Sequence, residues 1–152
     1  MKRTAIFAIL FLFVLSIPAF AVPAGEVKWN SLNDGTARAK AEKKPIIVDF
    51  FFGKGCPRCE KLEKYIYSDP KIAKKINDDF VPIFVDLTKP LSKEEDELGK
   101  KYDYKNDCLM LFLDYDMNIL KDPSGKKMCF VDHVEPDIFI NYLDTMKGQM
   151  KK

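Results

Sequence analysis

The run Ile46-Ile47-Val48-Asp49-Phe50-Phe51-Phe52 holds one charge among apolar, β-forming residues, and it ends in Gly53-Lys54-Gly55, directly ahead of Cys56-Pro57-Arg58-Cys59. A near-continuous apolar run of this length predicts a central strand buried on both faces. The two glycines predict a tight turn. Beyond the turn, Cys59, Leu62 and Ile66 recur at helical spacing, so a helix is predicted from about Pro57 to Tyr67. Cys56 therefore stands at a strand–turn–helix junction, where the helix begins.

The flanking sequence reads as alternating strands and helices, the pattern of an α/β layer fold. A helix is predicted over Leu32 to Glu42, with Leu32, Ala37 and Ala41 on one side and Pro45 stopping it. Asp69-Pro70 combines an N-cap with proline at the first helical position, and Ile72 and Ile76 then face inward. Phe80 to Val85 is the next strand. Ser92 to Glu95 has the S-x-x-E form of a capping box and opens a helix through Tyr102. Leu109 to Leu113 is a third apolar strand. Asp122-Pro123-Ser124-Gly125 is a turn, with Lys126 to Val131 returning as a hairpin partner. Glu135-Pro136 opens a last helix, whose apolar stripe is Ile138, Phe139, Tyr142, Leu143 and Met146. The expected fold is thus α/β, with a central mixed sheet of four to five strands flanked by helices.

The first 21 residues read as a leader. Lys2 and Arg3 make a positive start, Ala5 to Leu15 is apolar, Pro18 breaks the run, and Ala19-Phe20-Ala21 has the small-x-small pattern of a cleavage site. The apolar run is short for a membrane span, which needs about 20 residues. The expectation is a signal peptide over 1–21, cleaved near Ala21, a single domain over 22–152, and a periplasmic or secreted location. Removing Lys2 and Arg3 takes away the net charge of +2. The balanced mature chain gives no argument for nucleic acid or an anionic membrane surface as partner.

All four cysteines, Cys56, Cys59, Cys108 and Cys129, lie beyond the leader. Export places them where disulfides persist. Thiol–disulfide exchange needs a thiolate to attack and a second thiol to resolve the mixed disulfide. A sulfur at a helix N-terminus faces unsatisfied N–H groups and the positive end of the helix dipole, which favours its thiolate. Cys56 has that position and is assigned as nucleophile. Cys59, one turn inside the helix and more buried, is the resolving thiol. Pro57 suits the first helical position, and Arg58, with Lys54, adds positive charge. The spacing alone also admits a structural disulfide, or half of a zinc site lacking a second C-x-x-C. His133, the sole histidine, reads as a solvated or capping residue.

Lys44-Pro45-Ile46-Ile47-Val48-Asp49-Phe50 followed by Cys56-Pro57-Arg58-Cys59 resembles the thioredoxin superfamily. Leu62-Glu63-Lys64-Tyr65-Ile66-Tyr67-Ser68-Asp69-Pro70, then Phe80-Val81-Pro82-Ile83-Phe84-Val85-Asp86, is similar to the C-terminal domain of DsbD and its small exported relatives. Trp29 and Leu111-Phe112-Leu113-Asp114 fit the same group. The resemblance implies a thioredoxin-like fold and dithiol–disulfide exchange. It also implies exported cysteine-containing proteins as partners, a DsbD-like membrane protein as electron donor, and no cofactor beyond the redox-active disulfide.

Three departures from that group stand out. Gly55 replaces the tryptophan that usually precedes the first cysteine. Asp49 resembles the buried acid that moves a proton to or from the resolving cysteine, but it lies one residue further from Cys56 than usual. In a strand one residue flips the face, so Asp49 is expected to point away unless a bulge absorbs the extra residue. Cys108 aligns with the family's cis-proline. It reads as a buried small hydrophobe, as the partner of Cys129, or as a third thiol beside the active pair. The reading is an exported thiol–disulfide oxidoreductase of reductase or isomerase type, leaning reductant, with a monomer favoured and no bound metal. Its alternatives are a metal-handling protein using Cys56, Cys59 and Cys108, and a non-catalytic domain with structural disulfides.

Overall fold

The computed structural model describes residues 25–104, 110–121 and 135–150. The elements run α1 (Leu32–Glu42), β1 (Ile46–Phe51), α2 (Pro57–Leu62), a π-helical turn continuing it (Glu63–Tyr67), α3 (Pro70–Asp79), β2 (Val81–Asp86), α4 (Lys93–Lys101), β3 (Met110–Leu113) and α5 (Pro136–Gln149). The leader, the hairpin partner expected over Lys126 to Val131, and Cys108, Cys129 and His133 lie outside the described residues.

β1 is the middle strand of the sheet, in the order β2-β1-β3. It pairs parallel with β2, from Ile46↔Val81 to Phe51↔Asp86, and antiparallel with β3, from Ile46↔Leu113 to Asp49↔Met110. A parallel pair needs a crossover; here α2, the π turn and α3 supply it. The sheet is mixed, as expected, but among the described residues it has three strands, not four to five. Asn30 and Ile119 reach its edges only as single bridges, to Ile83 and Leu113. On the Asn30 side the reason is local: Ser31 caps the N-terminus of α1, its side chain accepting from the Asp34 N–H, so the chain turns helical before an edge strand can extend. Pro82 lies on the edge strand β2, where a proline can be accommodated.

The residues of β1 divide by parity between two cores. Ile46, Val48 and Phe50 pack with Leu32, Ala39, Ile83 and Leu98 under α1 and α4. Ile47 packs with Leu62, Ile66, Ile72, Ile76 and Phe139 under α2, α3 and α5. Two helical stripes differ from expectation. In α1 the buried positions are Leu32, Gly35 and Ala39, while Ala37 and Ala41 are exposed. The helix lies so close to β2 that a Cβ on Gly35 would sit 2.4 Å from Cγ1 of Ile83. The contact line is therefore set by the smallest residue. In α5, Phe139, Tyr142, Leu143 and Met146 are buried as expected, but Ile138 is 57% exposed. It lies just off the stripe, in the first turn after Glu135 and Pro136.

Helix starts follow the sequence closely. The Asp69 carboxylate accepts from the N–H groups of Lys71 and Ile72, with Pro70 at the first helical position. At α4 both halves of the Ser92/Glu95 capping box are formed, at 2.8 and 3.2 Å.

Candidate functional site

Cys56 is the N-cap of α2, with extended backbone angles, and its Sγ accepts from the Cys59 N–H at 3.2 Å. Pro57 takes the first helical position, where no N–H is needed. Cys56 and Cys59 are joined as a disulfide across a Cα–Cα distance of 5.3 Å. Cys56 is half-buried and Cys59 buried, as expected from the place of Cys59 one turn inside the helix. The loop ahead of Cys56 is shaped by Gly53 and Gly55, whose φ angles of 93° and 88° favour glycine. It is further held by the Gly55 N–H donating to Glu60 at 3.1 Å. Lys54 is exposed in this turn.

That loop corrects the expectation for Asp49. The strand stops at Phe51, so the additional residue is taken up between Phe52 and Gly55 without shifting the register of β1. Asp49 then faces the α2 side of the sheet. It is 5% exposed and lines a cleft of about 480 Å³ together with Cys59, Trp29, Phe51, Tyr67 and Phe84. Its neighbours across the sheet are apolar, Phe84 on β2 and Met110 on β3. Burial in this setting pushes the Asp49 carboxyl up to about 7. Two groups act against that rise: the Tyr67 hydroxyl, which donates to Oδ2 at 3.0 Å, and the positive charge of Arg58. A carboxyl with this proton affinity can both accept and return a proton near neutral pH.

Arg58 also bears on the groups behind the cysteines: its charge favours the ionised forms of Asp49 and Tyr67. Cys108 lies outside the described residues. Among the described residues no group of three or more His, Cys, Asp or Glu is placed to hold a metal.

Sequence reasoning passed over Tyr67. On a regular α-helix it falls to one side of the face carrying Cys59, Leu62 and Ile66. The final turn is instead π-helical, with the Ser68 N–H donating to the Glu63 carbonyl five residues back. A wider turn advances each residue by a smaller angle, and this swings Tyr67 back over the sheet. The Trp29 ring meets it edge-on at 4.9 Å and also contacts Phe84 at 5.6 Å. A tyrosine one position from an apolar stripe was the available signal, but only the π turn gives it meaning.

Residues 28–108 match the family described as Thioredoxin-like. Among curated proteins none matches the chain at a significant level. Solved structures share its fold. The DsbH oxidoreductase superposes with a TM-score of 0.58 at 19% identity, covering 84% of this chain and 87% of that one. A putative disulphide-isomerase from Bacteroides thetaiotaomicron gives 0.57 at 23% identity, covering 86% and 98%. The C-terminal domain of DsbD from Neisseria meningitidis, in its oxidised form, gives 0.54 at 19%, covering 74% and 89%. Together with the mixed sheet and the Cys56–Cys59 pair at the start of α2, the match over residues 28–108 places this chain in the thioredoxin-like family.

Proposed function

We propose that the protein is a thiol–disulfide oxidoreductase whose reacting pair is Cys56 and Cys59. One observation carries this reading: the pair is asymmetric, with a half-buried cysteine at a helix start and a buried one that shares a cleft with the buried Asp49 carboxyl, whose proton affinity burial raises. A purely structural disulfide has no use for that carboxyl. In the reaction the Cys56 thiolate attacks a partner disulfide and forms a mixed disulfide. The Cys59 sulfur then attacks Cys56, displacing the partner's sulfur as a thiolate, while Asp49 takes the Cys59 proton. In the opposite direction Asp49 returns that proton as a donor dithiol reduces the pair. Pro57 pre-sets the first turn of α2, and Arg58 holds part of the Asp49 population ionised.

The leader over 1–21 supports an exported protein, periplasmic or secreted, acting on other exported cysteine-containing proteins. Resemblance to DsbD relatives favours a reductant supplied by a DsbD-like membrane donor. Among the described residues no helix is long and apolar enough to cross a membrane.

The test is the redox potential of the Cys56–Cys59 pair, read with thiol counting. A value within the range of known exchange couples, about −270 to −120 mV, supports the proposal, and the position in that range reports the direction of flow. In Cys56→Ser, disulfide exchange is expected to fall to the uncatalysed background. Normal exchange by that variant, or a potential below about −300 mV as for structural disulfides, removes the proposal. Tight stoichiometric metal binding by the reduced protein favours metal handling instead.

A further inference from the structure

Asp49 needs more than burial to serve as a proton carrier. It must keep a fixed orientation and a usable fraction of carboxylate while enclosed by apolar neighbours. Phe84 and Met110 flank it across the sheet. The charged and titratable groups facing this region come from other elements: Arg58 and Cys59 from α2, Glu63 and Tyr67 from the π turn, and Glu26 from the segment ahead of α1. Of these, Tyr67 makes the direct hydrogen bond to the carboxylate, at 3.0 Å. Its ring is fixed on one side by Trp29 and its backbone by the π turn. A π turn costs regular helical hydrogen bonding, and such turns cluster at functional sites. Here its visible consequence is the delivery of one hydroxyl to one acid.

We propose that Tyr67 is a positioning residue for disulfide exchange: its hydroxyl anchors the Asp49 carboxylate at the wall of the cleft shared with Cys59, and so sets how readily Asp49 takes the proton that the resolving thiol must lose. The proposal rests on the oxidoreductase reading above. In the step concerned, the Cys59 S–H bond breaks and its proton passes to Asp49. The Cys59 sulfur bonds to Cys56, and the bond from Cys56 to the partner sulfur breaks, its electron pair leaving with the partner as a thiolate. The proton on Asp49 then passes to water at the open cleft. Losing the Tyr67 donor raises the proton affinity of Asp49, leaves less carboxylate at a given pH, and slows resolution without touching the first attack by Cys56.

Single-turnover oxidation of the reduced protein by oxidised glutathione separates the two steps, with acid quenching, mass measurement and mapping of the Cys56-linked adduct. In Tyr67→Phe the midpoint of the pH dependence of resolution is expected to move up by about one unit, as for loss of a hydrogen bond to a charged group. At pH 6 the Cys56–glutathione adduct then persists roughly tenfold longer, from the same shift, while its rate of formation is unchanged. An unchanged resolution profile overturns the proposal. A reduced wild-type protein that oxidised glutathione converts neither to the adduct nor to the Cys56–Cys59 disulfide overturns the oxidoreductase reading instead, and the proposal with it. A second measurement needs no variant. In the native protein labelled with 13C at tyrosine Cζ, the Tyr67 resonance is expected to follow the titration of Asp49 near pH 7. A Tyr67 resonance that stays constant between about pH 5 and 9 overturns the proposal equally.

Discussion

The two faces of β1 are built from the same six-residue strand and do opposite things. On the α1/α4 face, Ile46, Val48 and Phe50 are fully enclosed, Tyr104 stacks on Phe50 at 5.6 Å, and Gly35 brings α1 into contact with Ile83. On the α2 face the same alternation presents Ile47, Asp49 and Phe51, and the packing opens into a cleft beside Cys59. One face encloses every strand residue it presents. The other leaves room for water and places a carboxyl where burial is costly. The two-residue period of a single strand thus separates an enclosed face, which fixes where the strand lies, from one that presents Asp49 to a cleft from that fixed position.

Substitutions on the two faces are expected to differ in size and in pH dependence. The largest stability effect belongs to the filled face. Phe50→Ala is expected to destabilise the protein by about 3–5 kcal/mol, the usual cost of removing a fully buried aromatic. Denaturant unfolding checks this, and the pH dependence of stability should be unaltered. A loss below about 1 kcal/mol means that the α1/α4 face is not the rigid support described.

Asp49→Asn tests the open face, and its effect depends on pH. The Asp49 carboxyl is raised from an ordinary 3.8 to about 7 in the fold. Between those values the native state holds a proton that the unfolded chain has released, so stability attached to Asp49 is full below about pH 4 and declines as pH rises through about 7. The whole swing is at most on the order of 4 kcal/mol. Removing the carboxyl should flatten this part of the stability curve, so the variant gains on the wild type as pH increases from 4 to 8. Parallel curves for the two proteins mean that Asp49 keeps an ordinary carboxyl and that the open face has no special electrostatics.

The smallest effect is expected at Gly35. On an exposed helical surface, glycine to alanine stabilises by about 1 kcal/mol. At Gly35 the new Cβ meets buried Ile83 at 2.4 Å, so Gly35→Ala should instead destabilise by about 1–3 kcal/mol. The sign alone, read from thermal unfolding, says whether the filled face has any slack.

The regular parts of the fold were legible because each carries its own local signal. The strand at Ile46, the caps at Asp69 and Ser92 and the stripe of α5 depend on periodicity and end chemistry within a few residues. The α1 stripe was not legible, because which small residue touches the sheet depends on how near the helix lies to Ile83. Of the site, Cys56 and Cys59 could be read at once, since their spacing and place at a helix start are local facts. Asp49 could be named but not oriented: a one-residue count against related sequences points it away, and the loop from Phe52 to Gly55 absorbs that residue.

What the sequence alone determined, then, is the α/β order of elements and the sulfur pair at the junction of strand and helix. These follow from hydrophobic periodicity, turn residues and the spacing of two cysteines, all expressed within short stretches of chain. Only the tertiary structure decided what stands behind that pair: the direction of Asp49, the bearing of Arg58 on it, and the hydroxyl of Tyr67 brought over it by a π turn. Those features depend on how much backbone a loop takes up and on how far one turn of helix is widened. Both are set where several elements meet, in the packing between β1, α2 and the segment carrying Trp29.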